Sequence, residues 1–203
     1  KEINDHKSIE ETFNSMGAVN YYLGNYSKSM NLYRHSLKIA KEIGDCQTEI
    51  SNLLNIGRVF IERSDFSSAE KNYDMAFSIA KNIKFKMGIA DAYIGHTLLN
   101  LERNNLIEVR KGIKHILSLS KELGTIEIKA TALCLSGRLY TKEKKWNKAQ
   151  SSFFESLSFL KKLKKKYEIA EVYYYLGLMF KESGDKISAE EYYAKAKTIF
   201  KDI

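Results

Sequence analysis

The sequence has no proline, a single tryptophan and only two cysteines in 203 residues. Without proline, no helix carries a residue that lacks an amide donor and clashes with the preceding turn. Cys46 and Cys134 stand far apart with no CxxC partner, which argues against a disulfide framework and a zinc site and favours a reducing, cytoplasmic setting. No apolar run approaches the roughly 18 to 20 residues of a membrane span. HExxH, GxSxG, P-loop and GxGxxG motifs are all missing, so nothing here supports an enzyme, a cofactor or a metal. What remains is an apolar content of 44%, enough for a continuous core, and a formal charge of +8.

The chain repeats with a period of 40: Gly17, Gly57, Gly137 and Gly177 are members of one series, and the missing member falls at Thr97. Twelve residues after each comes Ser29, Ala69, Val109, Ala149 or Ala189; four further on comes Tyr33, Tyr73, Ile113, Phe153 or Tyr193. Each unit holds two stretches of helical periodicity joined by a polar turn, as in "LGNYSKS" and "SGDKISA". Glycine and the small residue allow two helices to approach closely, and the aromatic fills the gap toward the next hairpin. One hairpin cannot bury its apolar face alone, so the units must stack.

These positions resemble the tetratricopeptide repeat, with "YLGLMFKESGDKISAEEYYAKA" (175 to 196) the closest copy. The departures are a length of 40 in place of 34 and the lack of a closing proline. The resemblance implies an all-α fold, a right-handed α-α superhelix of five stacked hairpins, at about 6–45, 46–85, 86–125, 126–165 and 166–203 of a single array. It also implies a non-catalytic protein or peptide interaction module of the long-repeat subclass found in bacterial signalling proteins and peptide-binding scaffolds. "KEIND" at 1 to 5 aligns with "KEIGD" at 41 to 45, so Lys1 reads as the tail of an earlier helix and the chain as a piece of a longer protein.

In such stacks the first helices line a concave groove. At about 100° per residue, the residues six and three before the glycine, and one, four and five after it, are assigned to that face. The partner-binding candidates are Tyr21, Tyr22, Leu54, Arg58, Ile61, Ile94, Leu98, Leu101, Cys134, Arg138, Tyr174 and Leu178. The apolar middle with flanking arginines suits a partner segment with apolar and acidic side chains, or a second copy of the chain. The resemblance also offers a Lys and Asn clamp for a terminal carboxylate, but its positions hold Asn14, Ala18, Asn55, Ile94 and Leu98, so only fragments survive.

A basic surface for nucleic acid or another anion is the alternative, and the lysine placement disfavours it. Lys142 to Lys148 and Lys161 to Lys166 lie roughly 20 to 25 Å apart along one helix, as two patches, and the second, "KKLKKK", has no interleaved aromatic platform. His35 and His115 occupy the same register two hairpins apart, too distant to share a metal.

The stretch "YIGHTLLN" (93 to 100) breaks the rhythm. In repeat register it puts Thr97 at the glycine position, turns Ile94 and Leu98 into the groove, and sends His96 and Asn100 toward the packing face. A tight contact at Gly95 would instead imply a register shifted by two.

Overall fold

A computed structural model describes residues 2–202, with side chains from His6 onward. Among the described residues the secondary structure is ten α-helices: α1 (Glu2–Tyr22), α2 (Tyr26–Ile43), α3 (Cys46–Glu62), α4 (Phe66–Asn82), α5 (Lys86–Glu102), α6 (Leu106–Leu123), α7 (Ile126–Lys142), α8 (Trp146–Lys162), α9 (Lys166–Ser183) and α10 (Lys186–Lys201). Helices α3, α5, α7 and α9 start at intervals of 40 residues, so the sequence period is the structural period. No helix among the described residues is long and apolar enough to cross a membrane.

The chain divides into two compact units, Lys1–Glu102 and Arg103–Ile203, and the division falls within the third repeat, at the turn between α5 and α6. In the first unit α1 pairs with α2 and α3 with α4, and α5 packs on α4 and α3. In the second, α6 packs on α7, α7 pairs with α8, and α9 with α10. Each unit is therefore a stack of helical hairpins.

The turns follow one scheme. A residue with positive φ ends the first helix, and the next opens the second. After α2, Gly44 takes φ +75° and the Asp45 amide donates to the Ala40 carbonyl at 2.9 Å, while the Asp45 carboxylate accepts from the Gln47 and Thr48 amides. Asp65 and Asp185 cap α4 and α10 in the same way, through the Ser68 and Ser188 amides.

The repeat glycines are needed because an aromatic ring lies over them. A Cβ at Gly17 would stand 2.7 Å from the Tyr33 ring, at Gly137 2.5 Å from Phe153, and at Gly177 2.6 Å from Tyr193. The small residues fasten the same seam: Ser29 Oγ donates to the Gly17 carbonyl at 2.8 Å, and Ser156 Oγ to that of Ala130 at 2.7 Å. Tyr73 and Phe153 have no exposed surface, and burying a ring of that size contributes about 2 to 3 kcal/mol.

One expectation changes. Helix α1 runs unbroken from Glu2, with no turn where "KEIND" was aligned with the turn sequence "KEIGD". Asn4 stands where Gly44 supplies the left-handed residue of the later turn, and a residue other than glycine costs about 1 to 2 kcal/mol in that conformation. The reading of Lys1 itself falls outside the described residues.

Candidate functional site

First helices also touch first helices: α1 meets α3 and α3 meets α5 in the first unit, and α7 meets α9 in the second. On these faces lie most of the residues that the periodicity assigns to the groove.

In the first unit Leu54, Arg58, Ile61, Ile94 and Leu98 are all partly exposed. Leu54 and Ile61 pack against one buried group, Ala69, Tyr73 and Leu99. Tyr21 donates its hydroxyl to Glu62 at 3.0 Å, tying α1 to α3, and its ring meets those of Tyr22 and Tyr26 at 5.5 and 5.8 Å. Tyr22 stands 50% exposed beside it.

Beneath this face are two buried tyrosines. Desolvation pushes the Tyr33 phenol up to about 12, with Tyr22 adding and Ser29 and Arg58 opposing. Tyr73 is also raised, chiefly by desolvation, with Arg58 lowering and Glu62 raising it; its buried hydroxyl has no hydrogen-bond partner among the described residues. Both phenols therefore feel the Arg58 guanidinium, which stands over a floor of neutral tyrosine.

Leu101 is a correction. It has no exposed surface, and Thr141 one repeat later is also buried, so Leu101 belongs to the packing and not to a binding surface. The position four after the glycine lies only about 40° from it on the helix, at the margin of the packing side, so Leu101 is covered there while Tyr21 and Ile61 stay partly exposed.

In the second unit Cys134, Arg138 and Leu178 are partly exposed and Tyr174 is 47% exposed. The Arg138 guanidinium stacks over the Tyr175 ring at 4.3 Å, and Tyr174 meets Tyr193 at 5.7 Å. Burial pushes the Cys134 thiol up to about 12, with Glu171 adding and Arg138 opposing. A thiol held neutral in this way is no nucleophile. Among the described residues no three His, Cys, Asp or Glu side chains gather as a metal site.

The irregular stretch keeps its register and gains a contact. A Cβ at Gly95 would stand 2.7 Å from the Tyr73 ring, and one at Gly57 would stand 2.4 Å from the same ring. The tight contact at Gly95 thus exists, yet α5 still begins 40 residues after α3. Gly95 meets the aromatic residue of the preceding hairpin, so no shift by two is required. Thr97 is buried, donating its hydroxyl to the Tyr93 carbonyl at 2.7 Å. His96 lies edge-on to Tyr73 with Nε2 3.3 Å from Asp74 Oδ1, and Asn100 donates to the His96 carbonyl. The sequence signal for this clamp was the glycine itself, one of two inside α5.

Residues 8–82 and 170–202 match family profiles described as tetratricopeptide repeat. Among solved structures, the apo form of RapI is similar over 97% of this chain and 85% of its own, with a TM-score of 0.67 and 16% identity. Aspartyl phosphate phosphatase F from Bacillus subtilis is similar over 98% of this chain but 60% of its own, with a TM-score of 0.69 and 15% identity. A thermophilic tetratricopeptide-repeat protein from Thermus thermophilus gives 0.62 and 17% identity, over 92% and 89%. At these identities the likeness is one of fold. Comparison with curated proteins gives no match.

Proposed function

Because the chain belongs to the tetratricopeptide-repeat family, we propose that it is a non-catalytic interaction module that receives an extended protein segment on the exposed faces of its first helices. The observation that carries this reading is the α3–α5 face of the first unit. There Leu54, Ile94 and Leu98 remain partly exposed beside Arg58, a cation set over buried tyrosines. Apolar side chains of a partner suit the leucines and isoleucine, and a carboxylate suits the arginine through charge-assisted hydrogen bonds. Arg138, Tyr174 and Leu178 offer the same chemistry in the second unit. We extend the proposal to a cytoplasmic, sensory or regulatory role within a larger signalling protein, on the ground of the 40-residue repeat.

The test is affinity capture with mass spectrometry, comparing the native chain with Leu98→Glu and Arg58→Glu. Each substitution is expected to weaken the captured partner at least 10-fold, as central interface residues do. Unchanged capture by both variants would refute the reading. Recovery of only the chain itself would identify the occupant as a second copy.

A further inference from the structure

Charge is segregated along the chain. Arg103–Ile203 carries 21 Lys and Arg against 12 Asp and Glu, a formal +9, whereas Lys1–Glu102 carries 12 against 13, a formal −1. Such asymmetry marks one unit as the face for an anionic partner.

The two grounds against a nucleic-acid surface do not survive folding. The exposed edge of α8 joins the two lysine patches: Lys148, Ser151, Phe154, Ser158 and Lys161 recur at steps of three and four, all open to solvent. This edge is about 20 Å long at 1.5 Å per residue. The missing aromatics come from other helices. Tyr192 of α10 lies 6.4 Å from Phe154 and stacks with Phe180 and Tyr173 of α9 at 5.4 and 6.0 Å.

Lysines rest on these rings. Lys161 Nζ is 5.7 Å from the Tyr173 centroid, and Lys195 Nζ is 4.7 Å from that of Tyr192. Lys195 and Lys129 are paired with Glu191 and Glu155. Lys161 and Lys162 have no carboxylate partner among the described residues, and their ammonium groups sit over Tyr173 and Phe159 instead. The turns on either side of α8 place Lys144 and Lys164, both exposed, at φ 57° and 55°, as other turns place Ser64, Lys84 and Asn104 at 56° to 58°.

We infer that this face of α8, α9 and α10 docks single-stranded nucleic acid, the lysines meeting phosphates and the rings stacking bases. A lysine that leaves a ring face for a phosphate frees that face for a base. A duplex presents its phosphates but keeps its base faces stacked, and an acidic peptide presents charge without rings, so neither uses both features. The edge spans about four nucleotides, the lower end of single-strand sites.

The test uses the intact chain, labelled 12-nucleotide RNA and DNA single strands, and Trp146, the one tryptophan, which sits between Lys145 and Lys148 as a built-in reporter. About four phosphate contacts give a log-log salt slope near −3, or about 50-fold weaker binding at 200 mM than at 50 mM salt. Phe154→Ala is expected to weaken binding about 10-fold with little change in slope. The Lys161→Glu/Lys162→Glu pair should weaken it and flatten the slope by about half. Leu98→Glu should leave this binding unchanged, which separates it from the groove reading. Circular dichroism confirms that each variant is folded. Equal or tighter binding to polyglutamate, to phosphatidylserine vesicles or to a duplex, or full affinity in Phe154→Ala, would overturn the inference.

Discussion

Gly57→Ala puts the packing account under direct test because two effects of similar size oppose each other. Alanine favours a helix interior over glycine by about 1 kcal/mol. The added methyl, however, would stand 2.4 Å from Tyr73 Cε1 and 2.8 Å from Cζ. Relief needs a ring shift of about 1 Å to reach ordinary carbon contact. The ring cannot shift toward α5, because Gly95 already lies against it there, with a Cβ position 2.7 Å away. Overpacking of this kind costs about 1 to 3 kcal/mol, and confinement from two sides places it at the upper end. The net expectation is a loss of about 2 kcal/mol. Urea unfolding read by circular dichroism reports both units, whereas Trp146 fluorescence reports only the second. The loss should therefore appear in the dichroism transition and leave the fluorescence transition in place, since stability in a repeat stack is local. Tyr73→Leu should couple to it, the double variant losing less than the two singles summed. A neutral or stabilising Gly57→Ala would show that the ring yields and that the two-glycine clamp is not a constraint.

Further outcomes follow from the turns and from one buried carboxyl. Lys164→Gly and Lys144→Gly remove left-handed strain at φ 55° and 57°, and each should raise stability by about 0.5 to 1 kcal/mol in the Trp146 transition. Glu10 has no exposed surface and occupies the register held by Ile50, Ala90, Ala130 and Ala170. Its carboxyl is raised above the ordinary 4.5 by desolvation, with Thr48 and Lys7 opposing and Asp45 and Glu11 adding. The folded state then binds the proton more tightly than the unfolded chain, so this stabilisation is full at acid pH and is lost as pH rises through the raised value. Glu10→Gln should thus gain on the native chain between about pH 4 and pH 7 in thermal unfolding; a constant or shrinking difference would contradict the burial.

The hairpins were legible in the sequence because their signals are local. A glycine, a small residue twelve later and an aromatic sixteen later fix one seam, and Gly17 with Tyr33 or Gly137 with Phe153 meet as that spacing requires. Tyr73 was only half legible, because its second glycine, Gly95, belongs to the next hairpin and no fixed spacing announces it. Leu101 was misassigned by a projection that treated the position four after the glycine as outward, though helical geometry turns it back toward the packing. The basic surface was disfavoured in the sequence for a different reason. Tyr173, Phe180 and Tyr192 reach Phe154 and Lys161 only through the packing of α8, α9 and α10. A search for aromatics within the lysine runs could not find them.

The clamp on Tyr73 also bears on how the α3–α5 face would bind. A ring held between Gly57 and Gly95 fixes the spacing of the two helices whose outer sides carry Leu54, Arg58, Ile94 and Leu98. Its hydroxyl, buried near Arg58 and Glu62, fixes the ground on which the guanidinium stands. A surface arranged in this way loses little further freedom when a partner arrives, and that saving appears as affinity. Adaptation within the first unit is then left to exposed side chains such as Tyr22, at 50% exposure. If this face receives a partner as proposed, a rigid floor would select first by the spacing of the partner's apolar side chains, which the helices dictate, and only then by the polar groups around them.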